Sequence, residues 1–115
     1  DCTSGRVLMM AWMSPEALQM SVDSGFAVYW SRSRQALWKK GEQSGNRQRI
    51  VNFSLDCDGD TLLLEVEQLG GIACHTGRQS CFYRRLDDQG QWQVVDEVLR
   101  LPEQMYGDAG VDQSG

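Results

Sequence analysis

Residues 56–81 read DCDGDTLLLEVEQLGGIACHTGRQSC and gather reactive side chains of several kinds into one stretch. Asp56, Asp58 and Asp60 alternate around Gly59, so their oxygens can converge on a hard cation that prefers oxygen ligands. Calcium is the first to weigh, because Glu67 falls at the twelfth position counted from Asp56, as in an EF-hand loop. That loop needs glycine at its sixth position, taken here by Thr61, and flanking helices where this sequence has strands. The plain alternative is a solvated turn whose aspartates cap backbone N–H groups. The thiols offer a second site. Cys57 lies inside the acidic turn, while Cys74 and Cys81 flank a loop of small residues. Three thiolates suit zinc and leave its fourth tetrahedral position open to water, the arrangement of a catalytic site. If His75 filled that position, the site would be closed and structural. The cysteines lack the paired C-x-x-C spacing of zinc ribbons, and buried cysteines acting as small apolar groups are the alternative. His75 is the only histidine, so imidazole acid–base work near neutral pH falls to it. The run TGRQS that follows, with Thr76 and Arg78, can hold a phosphate through backbone N–H groups and a guanidinium.

These groups must be positioned by a chain of 115 residues, enough for one modest core and one domain. A net charge of -5 argues against a nucleic-acid surface, which needs a basic excess. The charge is unevenly spread. Residues 32–49 hold Arg32, Arg34, Lys39, Lys40, Arg47 and Arg49 against the single acid Glu42. A basic loop beside an acidic turn points to a small anionic ligand together with cations, or to an ordinary solvated face. Four cysteines, Cys2 among them, could form two disulfides in a secreted protein. No apolar run approaches the roughly 20 residues that span a bilayer, and the first residues do not read as a signal peptide. The expected compartment is therefore cytoplasmic, where such cysteines serve as metal ligands or catalytic groups.

The pattern predicts a turn at residues 1–5 and a buried strand over Val7 to Met13 that enters a helix. Ser14, Pro15 and Glu16 form a helix start, Leu18 and Val22 share a face, and Gly25 ends it. Phe26 to Trp30 reads as a buried strand, Ser33 to Lys40 as a short helix, and the rest of the basic segment as loop. Arg49 to Leu55 and Thr61 to Gln68 read as half-buried strands joined by the Asp58-Gly59-Asp60 turn, with Val51, Phe53 and Leu55 on one face. Ile72 to Ser80 is a loop, Cys81 to Leu86 a strand, Asp87 to Gly90 a turn and Gln91 to Val95 its partner strand. Residues 102–115 read as a polar tail behind a domain over 1–101. The expected class is α+β, a small antiparallel-sheet domain with one clear N-terminal helix.

The blocks VLMMAWMSPEAL, YWSRSRQALWKKGEQSGNRQ, LDCDGDTLLLEVEQ and ACHTGRQSCF, in that order, resemble the phosphoribosyl-AMP cyclohydrolase family of histidine biosynthesis. The resemblance implies a two-fold homodimer that uses zinc and magnesium to hydrolyse the N1–C6 bond of the adenine ring in phosphoribosyl-AMP. It implies zinc ligation by Cys57, Cys74 and Cys81, with Cys57 reaching the partner subunit's zinc, and magnesium at Asp56, Asp58 and Asp60. His75 is then the acid–base candidate. The basic block resembles the family's substrate-binding segment, which nominates Arg32, Arg34, Trp38, Lys40, Gly41, Glu42, Ser44, Gly45 and Asn46, with Thr76 and Arg78 from the cysteine loop. The chemistry agrees with the residues: N1-substituted adenine is electrophilic at C6, and a zinc-bound water of lowered pKa supplies hydroxide. Zinc deaminases attack similarly but carry H-x-E and P-C-x-x-C signatures that this chain lacks. The competing expectation is a non-catalytic domain in which the three cysteines and His75 close a structural zinc site. Family members also carry a segment ahead of the position of Asp1, so an N-terminal part is expected to be missing here, and Cys2 matches no family motif.

Overall fold

The computed structural model describes residues 1–106. In order it has helix α1 (Pro15–Ser24), strands β1 (Val28–Ser31), β2 (Ala36–Lys39), β3 (Gln48–Leu55) and β4 (Leu62–Gln68), a 3-10 turn (Leu69–Gly71), strands β5 (Arg84–Leu86) and β6 (Trp92–Val94), and helix α2 (Pro102–Tyr106). The class is α+β as expected, but the strands form three separate antiparallel pairs, β1–β2, β3–β4 and β5–β6, rather than one sheet.

Helix α1 starts and stops where its sequence says it should. The Ser14 hydroxyl accepts from Ala17 N–H, Pro15 occupies the first turn, and Gly25 closes the helix at φ 78°. Its buried face carries Ala17 and Ser21, while Val22 is 55% exposed. Ser21 explains the choice. Its hydroxyl donates to Ala17 and Val28 carbonyls and accepts from Val28 N–H, stapling the helix to β1 through a polar group that is fully satisfied.

Ser33 to Lys40 is not a helix. The chain turns at residues 32–35, with Gln35 at φ 50°, and β2 returns along β1 in the register Val28↔Lys39 to Ser31↔Ala36. Pairing satisfies the backbone groups along one side of β1, and this outweighs the weak helical propensity of a short polar segment. The β3–β4 hairpin forms as the alternation predicts, except for a register shift between Ile50 and Asn52. The extra residue, Val51, changes the phase of the strand. Ile50 therefore pairs with Val66, Phe53 with Leu64 and Leu55 with Leu62, and Val51 does not share a face with Phe53 and Leu55.

Val7 to Met13 forms no strand. Apart from an isolated antiparallel bridge between Trp12 and Trp30 of β1, the segment pairs with no strand, and it gives Leu8 to the core with Val66 and Ala73, bordered by Met9, Ile50 and Leu64. Cys81 N–H donates to the Leu8 carbonyl, so this core lies directly beneath the cysteine loop. A buried polar chain flanks it: Tyr29 Oη donates to Gln48, and Gln48 Nε2 to Gln68, whose own Nε2 donates to the Asn46 carbonyl. Residues 102–106 are helical with Met105 buried, where the sequence suggests a polar tail; residues 107–115 lie outside the described residues.

Gly77 is the tightest backbone position of the cysteine loop. Its φ is +89°, and a Cβ there would lie 1.8 Å from the Arg100 carbonyl oxygen. Strain and overlap together should make Gly77→Ala cost about 3 kcal/mol, a fall in melting temperature on the order of 10 °C. A thermal melt unchanged from the wild type would show that this approach is not a constraint on the fold.

Candidate metal and substrate site

The loop from Ala73 to Ser80 is a compact hairpin-like unit. Ala73 N–H donates to Gln79 and Cys74 N–H to Arg78, and a tight turn closes from Gly77 N–H to the Cys74 carbonyl. Ser80, fully buried, donates to the Val7 and Leu8 carbonyls. Arg6 ties the base of the loop to the opposite end of the chain, bonding Gln79 and pairing with Asp96. That contact spans ninety positions of sequence and leaves no local signature to read.

This unit sets Cys74 against Cys81. Both thiols are free, and they lie close enough for each to shift the other's pKa. Cys81, with a hydrogen bond from Thr76 Oγ1 to Cys74 Sγ at 3.1 Å, holds the Cys74 thiol well below the usual range, while Cys81 is pushed up as the partner that keeps the proton. The pair is half of a tetrahedral sulfur set and suits a thiophilic ion such as zinc. Cys57 is exposed on the acidic turn, and the described residues hold no trio that joins Cys57 or His75 to Cys74 and Cys81. His75 occupies a corner of the Cys74–Gly77 turn, half-buried, and no hydrogen bond among the described residues fixes its ring.

The aspartates do converge. One carboxylate oxygen from each of Asp56, Asp58 and Asp60 lies within 4.8 Å of the others, all on exposed side chains. Asp56 shapes the turn by accepting from the N–H groups of Asp60 and Thr61. Partial desolvation works against its charge, but the hydrogen bonds from Asp58, Thr61 and Asp60 outweigh it and lower its pKa. Asp58 is raised by its bonds to Asp56 and Asp60, because carboxyls this close favour sharing a proton. Oxygen-only donors on a tight turn fit a hard cation such as magnesium. A cleft of about 600 Å³ opens beside this turn, between residues 5–13 and β4, and Asp60, Thr61, Met10 and Trp12 line part of it.

The basic segment is not one surface. Arg32 and Arg34 are exposed at the β1–β2 turn, with the Arg32 guanidinium 4.4 Å from the Trp12 ring. Trp38 packs against Tyr29 at 5.4 Å. Lys40, by contrast, is 5% exposed and donates to the Ala73 carbonyl at 2.5 Å. Glu42 and Gly45 are exposed on the loop that follows, Gly41 is buried, and the half-buried Ser44 accepts from Asn46 N–H. Asn46 is turned inward, its amide against Met105 Sδ. Arg78 stacks on Tyr83 at 4.1 Å and donates to the Asp96 carbonyl, which gives it a loop-bracing role beside any contact with an anion. No helix among the described residues is long and apolar enough to cross a membrane.

A family model described as phosphoribosyl-AMP cyclohydrolase matches residues 9–83. A protein of Thioalkalivibrio sulfidiphilus named phosphoribosyl-AMP cyclohydrolase is 68% identical over 105 residues, which cover 91% of this chain and 79% of that protein. Proteins of the same name from Chromobacterium violaceum and Methylococcus capsulatus are each 58% identical, covering 92% and 93% of this chain and 80% and 83% of their own lengths. The matched span contains the aspartate turn, the three cysteines of the candidate site and His75, and the chain belongs to the phosphoribosyl-AMP cyclohydrolase family.

Proposed function

We propose that this chain hydrolyses the N1–C6 bond of the adenine ring of phosphoribosyl-AMP, in histidine biosynthesis in the cytoplasm, as a two-fold homodimer with zinc and magnesium. The observation that carries the reading is the pairing of the free thiols Cys74 and Cys81 at the loop, with Cys57 held apart on an exposed turn. Cys74 and Cys81 would hold zinc from one chain, and Cys57 would complete the set from a second copy. Support for that sharing comes from the hairpin that carries Cys57, where Leu55 and Leu63 are each 63% exposed and Phe53 and Val51 are open as well. An uncovered apolar hairpin end is what a subunit contact needs.

Zinc, when bound, supplies the Lewis acidity that makes water a nucleophile near neutral pH. The chain's own groups do the rest. The lowered Cys74 thiol is ready to act as a thiolate ligand. His75 stands next to that ligand, half-buried, and would take a proton from the attacking water and return it to the departing N1. Asp56, Asp58 and Asp60 would hold magnesium, which binds through carboxylates and substrate phosphates together. Arg32 and Arg34 offer positive charge for the phosphoribosyl groups. The competing reading is a closed, structural site with His75 as fourth ligand beside the cysteines.

Turnover of phosphoribosyl-AMP by purified protein, followed by absorbance of the ring-opened product, tests the reading. Three thiolates bind zinc far more tightly than three carboxylates bind magnesium, so dialysed protein should keep about one zinc per chain and lose magnesium. Turnover should then return on adding magnesium alone. Cys2 is exposed, its thiol beside the Thr3 hydroxyl and its backbone N–H bonded to the Val66 carbonyl, a bond serine would keep, so Cys2→Ser should match the wild type in both zinc content and rate. Active protein without zinc would overturn the metal assignment, and zinc-loaded protein with no turnover would overturn the activity.

A further inference from the structure

The buried ammonium of Lys40 has no evident task in a substrate-binding loop. Lysine is almost never buried unless paired, and no carboxylate among the described residues forms an ion pair with this one. Its place is fixed by the fold. Lys40 follows the last residue of β2, its backbone N–H donates to the Ala27 carbonyl, and its side chain crosses to the cysteine loop. There Nζ donates to the carbonyl of Ala73, the residue immediately before Cys74, with the Trp38 ring 5.7 Å away. The groups of opposite charge nearest to act on it would be the sulfurs of Cys81 and Cys74 once a metal holds them as thiolates.

We propose that Lys40 is a positioning residue for the thiolate centre: it pins the Ala73 carbonyl that orients Cys74, and its fixed positive charge offsets the negative charge gathered on the sulfurs. This rests on the zinc reading above. A divalent ion held by three thiolates carries a net charge of minus one, and placing an anion in a half-buried loop is costly unless a counter-charge lies beside it. Groups just behind a ligand shell commonly alter metal affinity 10- to 100-fold. Burial lowers the lysine's pKa and the two sulfurs work against that, which suits a residue whose charge is needed when the sulfurs are held as thiolates.

The test compares the wild type with Lys40→Met, which keeps length and apolar bulk and removes the charge. Zinc affinity is measured by competition with a chromophoric chelator, and the sulfur-to-metal charge-transfer band is recorded after replacing zinc by cobalt(II). Zinc affinity should fall about 10-fold or more, and the cobalt band should move to longer wavelength because the sulfurs lose a nearby positive charge. A residue that merely fills space would move neither. A second measurement needs no variant: in the wild type, the nitrogen resonance of the Lys40 ammonium should shift when zinc is added and stay put when magnesium is added. A resonance indifferent to zinc, or a Lys40→Met protein with wild-type affinity and an unmoved band, overturns the proposal while leaving the zinc site intact. A wild type that takes up no zinc overturns the metal reading and this inference with it.

Discussion

His75→Ala should keep its fold and its zinc and lose turnover by on the order of 100-fold or more. His75 is the chain's single imidazole, it adjoins Cys74, and its half-buried ring is not fixed by a hydrogen bond among the described residues. Removing it deletes the group best suited to carry a proton near neutral pH without touching a sulfur ligand. Elemental analysis and a thermal melt establish that zinc and fold survive, and the rate then reports on proton transfer alone. Loss of zinc together with a lower melting temperature would mean that His75 is itself a ligand and the site is closed.

Where the sequence carries its own local signals, the fold follows them. Ser14, Pro15 and Gly25 bound α1 because capping is a matter of a few adjacent residues. The aspartate turn joins β3 to β4 because alternation and turn chemistry agree there. Misreadings occur where a distant partner decides. Ala36 to Lys39 is a strand because β1 lies alongside it, and Val51 bulges because Ile50 must reach Val66. Val7 to Met13 makes no more than one bridge to β1, at Trp12, because its carbonyls at Val7 and Leu8 are taken by Ser80 and Cys81 rather than by a strand.

The same distinction runs through the candidate site. Cys74, His75 and Cys81 stand out by residue type and spacing, and the three aspartates by their alternation about Gly59. Charge counting groups Lys40 with Arg32 and Arg34, yet burial separates them, and no local pattern announces that the Lys40 side chain turns inward to Ala73. Arg78 likewise reads as an anion-binding arginine, but its contacts to Tyr83 and the Asp96 carbonyl depend on residues from the β5–β6 region.

The largest effect expected is a recovery. Cys57→Ser and Cys74→Ser should each be inactive alone, since each removes one sulfur from every zinc site. In a two-fold dimer each crossing occurs twice, so a heterodimer of the two variants has one site with both defects and one with neither. Mixing them under conditions where subunits exchange should restore about half of the wild-type activity per heterodimer, with one zinc per heterodimer bound as tightly as in the wild type. That measurement goes straight to the claim that Cys57 completes a site whose other sulfurs, Cys74 and Cys81, belong to a second chain. Demonstrated exchange with no recovery of activity or zinc would contradict it and place Cys57 outside a shared site.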